Sequence, residues 1–345
     1  MKLKSTLLFF LVLTTFSCKK DTEDQTPTKS FEANADGIYI SNEGGFTAGK
    51  ASITYSDGTE AETIQDVFRI ANDENLGDVC HSMAAINGLI YLVVNNSSKI
   101  EVVQPLTMKK VKTISGLTSP RFIVKATPDK AYVSDLYSNQ ISIINLTTNT
   151  VSGSINLTGS TEDMLLYNGK MYVTNLSTAF LYVIDAATDV VEDSIAIGSG
   201  GNSLQLDMNN KIWVLCGGDF VTSAPASLHR VDPATKTAEL SLTFPTPDYP
   251  SQLCINETND ALFFLNTNVY KMQITDSTLP TTAFVDAAGK SFYAMGYDRI
   301  STLLYVSDAI DYQQAGRIYR YTSTGSEISG LPAGIIPGDF LFLNN

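Results

Sequence analysis

Short runs of β-branched and aromatic residues recur along the chain and stop at polar Asn or Asp or at Gly. Residues 169–198 show the unit: Tyr172-Val173-Thr174 runs to Asn175, Leu181 to Ile184 runs to Asp185, and a third, outer run spans 194–197. β-Branched and aromatic residues suit a pleated, half-buried surface, and Asn, Asp and Gly suit the turns between. This stretch therefore predicts three strands. The leading aromatic recurs at Tyr39, Tyr91, Tyr132, Tyr172, Trp213, Phe263 and Tyr305, at spacings of 52, 41, 40, 41, 50 and 42 residues. A period of roughly 40–45 residues with several strands per unit is a propeller signature.

Another short strand precedes the marker aromatic, at 82–86, 121–126, 164–167, 203–206, 252–255 and 293–296. The expected fold is thus all-β, a seven-bladed β-propeller with four-stranded blades. The first blade lacks its inner strand, and 339–343 near the C-terminus has the pattern to supply it. Closing the ring with N- and C-terminal strands removes open edges. A second mark follows each second hairpin strand: Gln104/Thr107, Asn145/Thr148, Asp185/Thr188 and Asp232/Thr235. A short polar side chain there bonds the backbone two residues on and closes the turn.

The first 17 residues read as a targeting segment: Lys2 and Lys4, then an apolar core at 7–13 too short to span a bilayer. A small residue before the lone Cys18 resembles a bacterial lipoprotein signal, which implies cleavage before Cys18 and a lipid on its thiol; a plain secretory signal is the other reading. Residues 18–36 read as a polar, flexible tether and 37–345 as the propeller. The acids Asp21, Glu23 and Asp24 resemble a surface-export signal, so the expected location is the outer membrane, facing outward, held through the lipid alone.

Loss of Lys2 and Lys4 lowers the formal charge from −13 to −15. Such a surface repels phosphate backbones, so no nucleic-acid partner is expected. Cys80, Cys216 and Cys254 read as buried thiols, with a Cys216–Cys254 bridge as the alternative.

The turns Asn87-Gly88, Asn168-Gly169 and Asn209-Asn210 are tight, and all lie on one face of the expected ring. The other face carries every enlargement: the link 65–78, the proline-rich link with Pro245, Pro247 and Pro250, and the hairpin loops from Asn42, Gly217 and Asp308 onward. Enlarged loops rich in aromatics mark a functional face. Second strands end there in Asn42, Asn95, Asp135, Asn175, Asp219, Asn266 and Asp308, which would point a ring of amides and carboxylates at a central depression. Phe46, Tyr137, Phe220, Tyr249, Tyr293 and Tyr312 surround them. Polar groups among aromatics suit a large polar-aromatic ligand.

Catalytic signals are sparse. His81 and His229 read as structural, and neither GxSxG, HExxH, a P-loop nor CxxCH occurs. Glu162 and Asp163 are neighbours, which a regular strand would point to opposite faces. No catalytic residue, metal site or cofactor is expected.

The repeat, as in MYVTNLSTAFLYVIDAATDVVEDSIAIG, resembles that of the YncE-like seven-bladed propellers over residues 37–345. A narrower resemblance rests on IYISNEGGFTAGKASITY, Asp66-Val67-Phe68, Leu76-Gly77-Asp78, IYLVVNNSSKIEVV and Ser119-Pro120-Arg121-Phe122. These pieces resemble a family of lipid-anchored surface propellers found beside TonB-dependent outer-membrane transporters, whose members capture cobalamin. The resemblance implies a corrinoid ligand and such a transporter as partner. Arg121 then either meets the ligand's phosphate or holds neighbouring blades together. A protein- or glycan-binding propeller and a lyase using His81 or a carboxylate as base are the alternative functions.

Overall fold

The computed structural model describes residues 30–58 and 62–343. The expected targeting segment and Cys18 lie outside these residues. Blade one opens with β1 (Ile38–Asn42), β2 (Ser52–Ser56) and β3 (Thr63–Ile64). The helix α1 (Val67–Asn72) follows on the long link. Blade two is β4 (Cys80–Ile86), β5 (Leu89–Val94), β6 (Lys99–Val103) and β7 (Lys110–Ile114). Blade three is β8 (Pro120–Thr127), β9 (Lys130–Asp135), β10 (Gln140–Asn145) and β11 (Thr150–Asn156). Blade four is β12 (Thr161–Tyr167), β13 (Lys170–Asn175), β14 (Phe180–Asp185) and β15 (Val190–Ala196). Blade five is β16 (Gly201–Leu206), β17 (Ile212–Cys216), β18 (Ser227–Asp232) and β19 (Thr237–Thr243).

Blade six has three strands, β20 (Ser251–Ile255), β21 (Ala261–Asn266) and β22 (Asn268–Gln273), with a single bridge from Val269 to Val285 in place of the fourth. Blade seven is β23 (Phe292–Asp298), β24 (Leu303–Asp308), β25 (Ala315–Tyr321) and β26 (Glu327–Ile335). The last strand, β27 (Pro337–Phe342), pairs antiparallel with β1 and is the inner strand of blade one, so the ring closes with strands from both ends.

The core is divided among the seven blade interfaces. Its clusters each join successive blades, as where Tyr91 and Ile100 meet Ile123 and Val133, or Trp213 and Leu228 meet Leu253 and Phe264. Second strands such as β9 and β17 are therefore buried on both faces, while outer strands such as β15 keep the alternation. The marker aromatics are all buried. Their polar tips explain the tyrosines: Tyr39 donates to Pro105 O, Tyr91 to Asn149 Oδ1 and Tyr132 to Asp189, each on the outer turn of the next blade. Each tyrosine thus packs one blade and hydrogen-bonds its neighbour. The turn mark behaves as expected, with Asn145 Oδ1 and Asp185 Oδ1 accepting the N–H groups of the residues two and three further on.

Packing begins before residue 37. Phe31 and Ala33 are buried against Tyr39 and Tyr55, and the Ala33 N–H donates to Leu106 O. The three described cysteines are free and buried, with no bridge between Cys216 and Cys254. Burial pushes both of those thiols up to about 12.

Candidate functional site

All seven inner strands carry a register shift near their start. One extra residue is accommodated in β4, β8, β12, β16, β20, β23 and β27. Such bulges re-aim side chains. The second residues of these strands are His81, Arg121, Glu162, Asn202, Gln252, Tyr293 and Gly338, and the first six line the central channel. The serine and threonine repeated near the ends of second strands stabilise the bulges: Ser134, Thr174 and Ser307 accept the N–H groups of Phe122, Asp163 and Ala294.

The channel cavity measures about 660 Å³. At its mouth Arg121 Nε and Nη2 grip the two oxygens of Glu162, joining blades three and four. Burial opposes the guanidinium charge, but the Glu162 carboxylate outweighs it, so the Arg121 pKa is raised. His81 Nδ1 lies 3.3 Å from Glu43 Oε1, and Tyr293 donates to Glu43 Oε2 at 2.9 Å. His81 Nε2 is buried without a hydrogen-bond partner, 3.7 Å from Glu162 Oε1. Gln252 and Tyr312, both lining the channel, hold left-handed backbones at φ 59° and 62°, a conformation that non-glycine residues adopt at a cost.

Arg121 is therefore the clasp between blades. Glu162 and Asp163 both face the channel because the bulge breaks the strand alternation that would separate them. His229, by contrast, is structural: Nε2 meets Gly198 N and Ser227 Oγ, Nδ1 meets Ser241 Oγ, and burial lowers its pKa to about 4.

The ring at the ends of the second strands turns away from the channel. Asn42, Asn95, Asp135, Asn175 and Asp308 are buried. Asn42 bonds Thr54 Oγ1 and Gly334 N, Asn95 bonds Ser119 Oγ, and Asn175 bonds Thr158 O and Ser177 N. Asp135 accepts from Ser119, Tyr137 and Ser138 N–H, Asp219 from Val221 N–H, and Asp308 from Ser291 and Ile310 N–H. Neither these residues nor Asn266 line the channel. Loop N–H groups near a buried strand end need acceptors, and these side chains provide them. They set the loops that present Tyr137, Phe220 and Tyr312. Asp78 does the same for the Phe46 loop, accepting from Thr47 N–H at 2.9 Å.

Among the described residues the exposed aromatics are Phe46, Tyr137, Phe180, Phe220, Tyr249 and Tyr312. Five are on second-to-third-strand loops or blade links, and Phe180 opens a third strand at the same end. Antiparallel order puts all six on the face where the inner strands begin. Phe46, Tyr137 and Phe220 are 72, 78 and 82% exposed. Phe220 faces Tyr249 with ring centroids 6.5 Å apart, and Tyr312 meets the channel residue Tyr293 edge-on at 5.9 Å. The aromatic placements thus follow the expected face.

Deeper in the channel, Asp163 accepts from Met164 and Leu204 N–H, and Asp339 from Met83 N–H. These carboxylates clasp successive inner strands. Burial raises both to about 7. The folded chain then keeps protons that the unfolded chain releases near pH 4, so this stability is full below that value and is lost as pH rises through 7. Above about pH 6.5 the His229 contribution, of opposite sign, is constant. Denaturant melts are expected to lose on the order of 2–4 kcal/mol between about pH 5 and 7.5, the loss from the two aspartates being partly offset by His229 below about pH 6.5, and Asp339→Asn should remove most of that net loss.

The family described as "Domain of unknown function (DUF5074)" matches residues 36–330. No curated protein matches the chain. A quinonprotein alcohol dehydrogenase-like protein from Bacteroides thetaiotaomicron aligns with TM-score 0.70 at 16% identity, over 90% of this chain and 79% of its own. Putative 6-phosphogluconolactonases from Bacteroides uniformis and Bacteroides fragilis align with TM-scores of 0.65 and 0.64, both at 11% identity, over 89% and 92% of this chain and 98% and 99% of theirs. At these identities the likeness concerns the fold. Among the described residues no helix is long and apolar enough to cross a membrane.

Proposed function

The chain belongs to the DUF5074 family, and from that premise we propose that it is a non-catalytic binding protein whose ligand sits over the channel mouth. The observation that carries this reading is the placement of the exposed Phe46, Tyr137, Phe220, Tyr249 and Tyr312 on the loops and links of one face, around a polar annulus. A broad ligand with an apolar plane and polar periphery matches such a surface: the plane packs on Phe220, Tyr249 and Tyr312, while amides meet Asn202, Gln252 and the carboxylates below. A corrinoid has this form, and the narrower resemblance of residues 38–55, 66–68, 76–78, 90–103 and 119–122 favours it. On this reading the chain is lipidated at Cys18, displayed on the outer membrane, and hands its ligand to a TonB-dependent transporter.

The test is to mix the purified chain with cyanocobalamin, desalt, and read visible absorbance in the protein peak. A red protein peak is expected. A colourless peak contradicts corrinoid capture.

A further inference from the structure

A second cavity lies on the flank of the ring, at the seam of blades three and four. It is an open groove of about 690 Å³. Its polar lining is Ser138, Asn139, Gln140, Asn156, Thr158 and Tyr182, completed by Leu157 and Val191. No charged residue lines it, although the chain carries 36 acidic and 23 basic side chains. A groove built of amides, hydroxyls and one phenol offers no counter-charge to an anion or a cation. The negative charge of the chain further disfavours anions.

Two of the amides sit on paired strands, and Asn139 lies in the bend just before β10. Gln140 and Asn156 are cross-strand partners on β10 and β11, and Gln140 Nε2 donates to Asn156 Oδ1 at 3.3 Å. Asn139 Oδ1 accepts from Gly159 N–H at 3.0 Å. These bonds engage Gln140 Nε2, Asn156 Oδ1 and Asn139 Oδ1, each amide being held through one of its two polar atoms. Beside them, Tyr182 meets the exposed Phe180 at 6.4 Å between ring centroids, two residues apart on one face of β14. The site therefore pairs an aromatic surface with fixed donors and acceptors and has no charge.

We propose that this groove binds a neutral saccharide. A sugar ring has an apolar C–H face that packs on an aromatic ring, and its hydroxyls both donate and accept, which suits amide and hydroxyl partners. This site is separate from the channel mouth and from the ligand proposed there. The class is set by the lining: an acidic polysaccharide would find no cation, and a polyamine no carboxylate.

Affinity electrophoresis of the full chain through native gels holding dextran, barley β-glucan or galactomannan tests the proposal. Retardation is expected in at least one gel. It should weaken at least about tenfold in Tyr182→Ala, which removes the aromatic surface, and in Asn139→Asp, a near-isosteric change that adds charge. It should persist from about 50 to about 500 mM NaCl, since no ion pair is involved. Gln140→Glu, at an exposed position, guards against misfolding of the Tyr182 variant and should also lose binding. Absence of retardation in all three gels overturns the proposal. So does retardation that survives Asn139→Asp and Gln140→Glu, or that salt abolishes. Co-elution of cyanocobalamin with the three variants should match the unmodified chain, so failure of either site is seen separately.

Discussion

Arg121→Met is expected to destabilise the chain by about 3–5 kcal/mol in denaturant melts. The Glu162 side chain is 7% exposed, and both its oxygens accept from Arg121. Removing the guanidinium leaves a carboxylate in the channel wall beside Asp163 and near Glu43, with His81 as its remaining neighbour. The double variant Arg121→Met/Glu162→Leu should recover most of the loss, because an apolar pair of similar volume replaces a desolvated ion pair at little net cost. A double variant no more stable than Arg121→Met would show that the clasp acts through something other than the unpaired charge. The recovered variant would also retain the fold while lacking two polar groups of the annulus, which separates their structural role from ligand contact.

The second large effect is on binding. Replacing Phe220, Tyr249 and Tyr312 together with Ala is expected to weaken cyanocobalamin binding at least about 100-fold, as for loss of an aromatic hot spot. Stability should change by no more than about 2 kcal/mol, because Phe220 is largely in solvent and Tyr249 and Tyr312 are half-exposed. The measurement is a binding titration run beside a thermal melt. Unchanged affinity would remove the aromatic rim from the site.

The fold was open to reading because its repeat is written in residues with one physical task each. The marker tyrosines reach the next blade, and the Asn and Asp of the outer turns cap those turns. The channel annulus was harder to see. His81, Glu162 and Asn202 precede the expected starts of their strands, because a bulge puts two residues opposite one and breaks the alternation that marks a strand. One signal was available: six polar residues stand ten to twelve positions before successive marker aromatics, from His81 before Tyr91 to Tyr293 before Tyr305.

The Asn and Asp at the ends of the second strands illustrate the converse. Their place in the chain pointed correctly to the mouth-side face, but position does not give direction. Buried beside loop N–H groups, Asp135 and Asp308 form local hydrogen bonds and act on the site by shaping the loops. The helix Val67–Asn72 was not expected, since six residues give too short a period to register. It packs Val67, Phe68 and Ala71 into the cluster between blades one and two.

Hydrogen exchange of the chain with and without cyanocobalamin tests most directly which face holds the ligand. Slowed exchange is predicted in the loops around Phe46, Phe220 and Tyr312 and in the link bearing Tyr249, with the turns at Asn87-Gly88, Asn168-Gly169 and Asn209-Asn210 unchanged. Protection confined to those tight turns, or absent from the chain, would contradict the account.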